Sequence, residues 1–358
     1  MNDEVVILLT GGSAALACAL LGTFLVLRGM SLIGDAISHA VLPGIVLAFL
    51  VTNSVSAWPV VVGAGVLGLF TVFLIESLVK TGRVKEDASI AVVFPALFAL
   101  GVLLVVQYAQ QKDLDQECVL YGEIAYAPLD LMVLGGVEVA RPLFVLATVA
   151  ILNVLFVALL YKELKLSTFD AAAAATLGLS PVLVHYLLMG AVSMTTVASF
   201  ESVGAILVVA FLIVPASTAY LLTDRLAVML PLSGAIGVVA STIGYFFARA
   251  LDASIAGGMA TTMGVIFVVV WLFAPREGVL ARRLLLRSMR ERVALALVLE
   301  RLGRSPAGRD RLVADLAWPE GKVEEAVVTL RDNGLVSAEG GLLRPTRAGL
   351  EYVRAVVE

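Results

Sequence analysis

Arg28-Gly-Met-Ser-Leu-Ile-Gly-Asp-Ala-Ile-Ser-His-Ala-Val-Leu-Pro-Gly44 is the stretch on which the reading of this chain turns. It is mostly apolar, yet it carries Asp35 and His39 four residues apart. On a helix that spacing stacks both side chains on one face. Long apolar runs flank it, and a carboxylate and an imidazole at membrane depth are expensive to keep. Either the two hold each other and a neighbouring helix together, or they meet a polar passenger. A divalent metal ion suits the pair, because Asp offers a hard oxygen and neutral His a borderline nitrogen. Ser38 sits beside them, and Pro43-Gly44 follows about one turn later, where a kinked or broken helix would free backbone groups toward a cavity. One helix supplies only two ligands. A transport site has to be incomplete for its ion to leave, and a two-fold dimer could supply a second pair.

The rest of the chain agrees with a membrane setting. Of its 358 residues 60% are hydrophobic and 15% charged, against about a quarter charged in an average soluble domain. Nine segments are long and apolar enough to span: 5–27, 36–53, 57–79, 88–107, 143–161, 182–199, 204–222, 228–248 and 256–273. The acidic start, Met-Asn-Asp-Glu, lacks the basic flank of a cleaved signal, so the first segment is expected to be retained. Two cysteines, Cys18 and Cys118, are too few for a disulfide framework or a thiolate metal site. With the N-terminus outside, ten loop cations fall on the inner side: Arg28, Lys80, Arg83, Lys85, Lys162, Lys165, Arg225, Arg276, Arg282 and Arg283. Only Lys112, Arg141 and Arg249 fall outside, so the positive-inside rule places the C-terminus in the cytoplasm. The outer side is acidic, with Asp3, Glu4, Asp113, Asp115, Glu117, Glu123, Asp130, Glu138 and Asp252. That surface is either ordinary solvated charge or a collecting face for a cation-loaded partner. Within the longest outer connection, 108–142, the apolar run Leu129–Val137 is too short to span and is expected to form a re-entrant or interfacial helix. Small residues recur every four at Ser233, Gly237 and Ser241, and again at Ala64 and Gly68, which predicts close helix packing, inside one subunit first and at a dimer seam as the alternative.

Two further segments carry candidate function. Asp170 can cap a helix start, and Ala171, Ala172, Ala173, Ala174 and Ala175 are strong helix formers. Thr176-Leu177-Gly178 then leads to a left-handed exit, and Pro181 prevents continuation. The result is a short rigid helix between two spans, either an ordinary loop helix or one that lies in a cleft of an ATPase subunit. The segment from Glu201 to Arg225 holds Glu201 at the outer end of a span and Pro215 in its middle, with Ser217 and Thr218 nearby to satisfy freed carbonyls. It is read equally as packing or as a pathway-lining broken helix. His185, in an apolar segment, is expected to be a packed, hydrogen-bonded residue. The chain has no GxxxxGK[ST] phosphate loop and no nucleophile–base arrangement, so any ATP it uses must be bound and hydrolysed by another subunit.

From about residue 279 the composition becomes that of a soluble domain, dividing the chain into 1–278 and 279–358. Helices are expected over 287–302, 309–318, 322–333 and 347–357, with a hairpin around Gly340-Gly341. Together these describe a small α+β winged helix. This tail resembles the winged-helix domain of diphtheria-toxin-repressor-like metalloregulators in Leu312-Val-Ala-Asp-Leu316, Leu330-Arg-Asp-Asn-Gly-Leu-Val336 and Leu343-Arg-Pro-Thr-Arg-Ala-Gly349. DNA is an unlikely partner on charge. Residues 279–358 carry 14 Lys and Arg against 11 Asp and Glu, and Glu324 and Glu325 stand in the would-be recognition helix.

The membrane part resembles the manganese/zinc/iron permease family of ABC importers. The likeness rests on Leu27-Arg28, Ser31-Leu32, Gly34-Asp35-Ala36, Ser38-His39-Ala40 and Leu42-Pro43-Gly44. It continues in Phe169-Asp170, Leu177-Gly178-Leu179, Val203-Gly204, Val214-Pro215-Ala216 and Leu222-Thr223-Asp224-Arg225, and covers about residues 5–275. It implies an all-α polytopic fold in the bacterial plasma membrane, a second permease subunit of the same or another chain, cytoplasmic ATPase subunits, and an extracytoplasmic metal-binding protein. It also implies that Asp35 and His39 are the metal-pathway pair and that Asp170–Gly178 is the ATPase-coupling helix. No tightly bound cofactor is expected. The cargo would be manganese first, since an O/N pair without thiolate suits a harder ion, with zinc and iron open. A secondary metal carrier, a siderophore or cobalamin permease, and a membrane-anchored winged-helix regulator are the rival readings.

Overall fold

In a computed structural model the chain divides into two units, Met1–Leu272 and Phe273–Glu358. The structure describes residues 2–52, 57–109, 123–134, 137–275, 278–339 and 342–357. Lys112, Asp113, Asp115, Glu117, Cys118, Arg276 and the Gly340-Gly341 pair lie outside the described residues.

Nine helices among the described residues are long and apolar enough to cross a membrane. The first, α1 (Asp3–Leu27), is the hub of its unit. Its residues from Ala14 to Leu25 are almost all buried, and it packs against four later helices, α6 (Arg141–Leu159), α9 (Pro181–Val203), α10 (Ala205–Leu222) and α11 (Leu226–Ala250). Lipid gives no hydrophobic drive for helices to associate, so close packing and hydrogen bonds have to hold them. The Asn153 amide of α6 donates to the Ala17 carbonyl at 3.1 Å and to Thr195 Oγ1 at 2.8 Å, joining three helices. Thr23 and Ser233 hydroxyls meet at 3.0 Å between α1 and α11. The small-residue stripe of Ser233, Gly237 and Ser241 faces α1, with Gly237 against Ala15 and Ser241 against Gly11. Gly68 packs on Ser193 of α9. Both stripes therefore serve packing inside the chain, as expected.

The second spanning segment is interrupted. Ser31–Ala40 (α2) and Leu42–Thr52 (α3) meet at a single turn residue, Val41, whose backbone stays in the helical region (φ −75°, ψ −16°), so one span runs through both. Pro43 has no N–H to give to the His39 carbonyl, which is the local cause of the turn. α4 (Ala57–Lys80) and α5 (Glu86–Leu104) pack beside them, and Gly101 of α5 lies against Pro43. The last span, α12 (Ile255–Phe273), meets α11 where Gly244 lies against Gly258 and Met259.

Residues 129–134 and 137 are not helical, contrary to expectation. Leu131–Leu134 (β1) pairs antiparallel with Val137–Ala140 (β2), Leu134 opposite Val137. Gly135-Gly136 interrupts any helical period, and Val133, Val137 and Val139 favour extended backbone. The apolar composition was read correctly and its period was not.

The second unit has a core of its own, with Val298, Leu299, Leu302, Leu312, Val323, Val327, Leu330 and Leu343 buried together. Its order is α13 (Val279–Arg304), α14 (Arg309–Leu316), α15 (Glu320–Asp332), β3 (Val336–Glu339), β4 (Leu342–Pro345) and α16 (Arg347–Val357). The two strands pair antiparallel, Glu339 opposite Leu342. Thus three helices, two paired strands and a closing helix follow in the order the sequence predicts, the first helix beginning at Val279 and not at 287.

Candidate functional site

Asp35 and His39 lie on one face of α2. His39 Nε2 is 3.6 Å from Asp35 Oδ1, and the side chains are 35% and 44% exposed respectively. The face behind them is buried through Ile33, Gly34, Ala36, Ile37 and Ser38. So the pair points away from its own subunit's core, with both side chains on the open side of the helix. Ser38 is buried, and its hydroxyl donates back to the Gly34 carbonyl at 2.9 Å. It shapes the helix that carries the pair. His39 is flanked by aromatic rings of α5, with ring centroids 5.3 Å from Phe94 and 6.3 Å from Phe98. Their four-residue spacing was visible in the sequence, but nothing there told which helix they would face. Among the described residues no group of three or more His, Cys, Asp or Glu is arranged to hold a metal.

The short helix α8 (Ala171–Thr176) is built at both ends as its sequence requires. Asp170 accepts a hydrogen bond from the Ala173 N–H at 2.8 Å, capping the start. At the other end Gly178 has φ +81°, and the Gly178 and Leu179 N–H groups return to the Ala175 and Ala174 carbonyls at 3.1 Å. That pattern closes a helix and needs the left-handed residue glycine tolerates. Ser180 then caps α9 through the Leu183 N–H. Ala174 is the buried residue of α8, whereas Phe169 and Leu177 at its two ends are 59% and 71% exposed. An apolar pair flanking a solvated alanine helix is a surface that invites a partner.

Glu201 is exposed and lies 3.4 Å from Arg141, which also approaches Asp130 at 3.9 Å. Arg249 and Glu4 pair on the same face. Pro215 is buried within α10, with its ring against Gly237.

A charged network that sequence reading did not find occupies the opposite face. It joins Arg28, just after α1, to Ser167 and Thr168 at the end of α7 (Tyr161–Phe169), to His185 in α9, and to Glu76 in α4. Lys80 and Tyr186 also bond Glu76, at 3.0 and 2.8 Å. The expectation that His185 is a packed, bonded residue is met. Partial burial lowers the Arg28 pKa from its ordinary value, yet a guanidinium remains charged in proteins.

The described residues thus form a multi-pass membrane bundle with an Asp–His pair on an interrupted span and a capped helix between two spans. The chain belongs to the ABC 3 transport family, whose model matches residues 5–274. It is 48% identical over 285 residues to the manganese transport system membrane protein MntD of Bacillus subtilis, covering 79% of this chain and 96% of that one. It is 42% identical to the zinc transport system membrane protein TroD of Treponema pallidum, over 99% of this chain and 98% of that one, so the tail is matched there as well. Among solved structures, PsaBC from Streptococcus pneumoniae in complex with Fab is similar, with a TM-score of 0.64 and 31% identity over 77% of this chain and 94% of that one.

Proposed function

We propose that the chain is the permease subunit of an ATP-driven importer of divalent transition-metal ions, manganese first, with zinc or iron as alternatives. The observation that carries this is the Asp35–His39 pair, 3.6 Å apart on the open face of an interrupted span in a membrane bundle. Leaving that pair against lipid is costly, so a second permease subunit must cover it. A like subunit related by a two-fold axis would bring a second such pair and complete a four-ligand O/N site. Donors of that kind hold Mn²⁺, Fe²⁺ or Zn²⁺ without the tight thiolate grip that would prevent release. The relatives named for manganese and zinc support that cargo class. The bacterial plasma membrane with the N-terminus outside is the location this reading takes, supported by the excess of loop cations on the Arg28 side of the sequence. An extracytoplasmic metal-binding protein would dock on the Glu4–Glu201 face. ATPase subunits would receive Ala171–Thr176 and its exposed Phe169 and Leu177 on the other. The tail is a cytoplasmic module of winged-helix form.

The test is uptake of radioactive manganese, zinc and iron by cells carrying the wild type, Asp35→Asn or His39→Gln. Manganese uptake below saturation is expected to fall at least about tenfold in each variant at unchanged membrane abundance. Wild-type rates for all three metals in both variants would end the proposal.

A further inference from the structure

We infer that Arg28 is a positioning residue that ties the helix bearing Asp35 and His39 to the short helix α8, so that the two move as one. The inference rests on reading α8 as the ATPase-contacting element. Three contacts radiate from the one guanidinium. Nε donates to Thr168 Oγ1 at 3.1 Å, Nη2 to Ser167 Oγ at 3.2 Å, and Nη1 to His185 Nδ1 at 3.2 Å. Thr168 stands two residues before the Asp170 cap, and His185 lies in the first turns of the helix that follows α8. Arg28 therefore grips the hairpin on both sides of α8.

The other end of the link is equally short. Only Gly29 and Met30 separate Arg28 from the start of α2. That connection is closed by hydrogen bonds from the Gly29 N–H to the Val26 carbonyl at 3.1 Å and from the Met30 N–H to the Leu25 carbonyl at 2.9 Å. Gly29 has φ +72°, the left-handed exit such a closure needs. There is no slack between the guanidinium and the helix with the metal pair.

The network continues into α4. Donation from Arg28 occupies the Nδ1 lone pair of His185, which places the ring hydrogen on Nε2. Nε2 lies 2.6 Å from Glu76 Oε1. Glu76 Oε2 takes Lys80 and Tyr186. A second cation site at Glu76 and His185 is disfavoured, because Arg28 and Lys80 flank it and the carboxylate is already occupied. Simple cohesion does not call for this arrangement either, since an apolar contact would hold the helices without desolvating charge. The guanidinium's rigid fork instead fixes three acceptors in one geometry.

The experiment uses the whole transporter, co-expressed with its ATPase subunit and reconstituted in liposomes. ATP turnover and manganese uptake are measured together, and hydrogen–deuterium exchange of the α2 amides, Ser31–Ala40, reports movement when ATP is added. In the wild type the exchange is expected to respond to ATP. In Arg28→Gln, and in Ser167→Ala/Thr168→Ala, which removes only hydroxyls, that response should be lost. Ions carried per ATP should then fall about fivefold or more while ATP turnover stays within about twofold. Combining the two changes should add little to either alone, because they break one link. Arg28→Lys, which keeps the charge and loses the fork, should not restore coupling. An unresponsive α2 in the wild type, a wild-type response in the variants, additive defects, or full rescue by Arg28→Lys would each overturn the inference. A wild type that carries none of the three metals but whose α2 exchange still responds, with the response lost in the variants, sinks the cargo reading and supports the link.

Discussion

Gly22→Ala should destabilise this protein far more than one methyl group ordinarily does. A Cβ at Gly22 would sit 1.8 Å from the Leu212 carbonyl oxygen and 2.7 Å from its carbon. Ordinary contact begins near 3.4 Å, so α1 and α10 would have to part by about 1.6 Å there. The obstruction is backbone, so no rotamer change relieves it. Overpacking costs roughly 1–3 kcal/mol, and a backbone clash belongs at the upper end. Alanine returns up to about 1 kcal/mol of helix propensity, leaving a net loss of about 2 kcal/mol. Gly12, ten residues earlier in the same helix, is the control. There the added carbon meets only Val238 Cγ1, at 3.8 Å. Gly12→Ala should thus be neutral or stabilising by up to about 1 kcal/mol. Heating the detergent-solubilised protein and following the monodisperse fraction checks both. At roughly 2–4 °C per kcal/mol, the midpoint should drop by about 4–8 °C for Gly22→Ala and hold or rise for Gly12→Ala. The consequence reaches the helix of Asp35 and His39, because a Leu212 methyl also lies 3.0 Å from where a side chain on Gly34 would begin. Midpoints that move together for the two variants would refute the packing account of α1.

Two other outcomes follow. Asp170→Ala removes the bond to the Ala173 N–H and should cost the short helix about 1 kcal/mol; the reconstituted complex should then bind its ATPase subunits more weakly, read as a rise in the ATPase concentration needed for half-maximal turnover. The full-length protein in detergent should show no salt-sensitive retention of duplex DNA. On α15 Glu320, Glu324, Glu325 and Asp332 outnumber Lys322 and Arg331, and Glu324 also pairs with Arg309 of α14 at 2.9 Å.

How legible each part was follows from the range of the forces that set it. Spanning helices are decided by local hydropathy, and the expected 5–27 and 256–273 lie within two residues of the observed Asp3–Leu27 and Ile255–Phe273. Capping is equally local, so the Asp170 and Gly178 ends of α8 could be read directly. The hairpin at Leu131–Ala140 was missed because short apolar runs do not separate helix from strand by composition. The interruption at Val41 was foreseen from Pro43 only as a kink or break, and the structure makes it one turn residue between two helices. The Arg28 network was out of reach altogether. Its partners lie 139, 140 and 157 residues away along the chain, and no periodicity joins them. The aromatic flank of His39 has the same character, since Phe94 and Phe98 become neighbours only when α5 packs on α2.

The two faces of the bundle also differ in what their charges do. On the Glu4 face the pairs are exposed, Arg141 with Glu201 and Asp130, and Arg249 with Glu4. Such pairs contribute at most about 1 kcal/mol and are weakened by salt. A partner that docks there can exchange them for its own at little cost. On the Arg28 face His185 and Glu76 are 15% and 19% exposed, and each is held by more than one neighbour. Breaking that set would strand partly buried charge, which costs several times more. In the proposed orientation the Glu4 face is the loose outer one and the Arg28 face the braced inner one, as an alternating-access importer driven from inside would need: a docked partner would leave the first each cycle, and the second would pass a displacement of α8 to the Asp35–His39 helix.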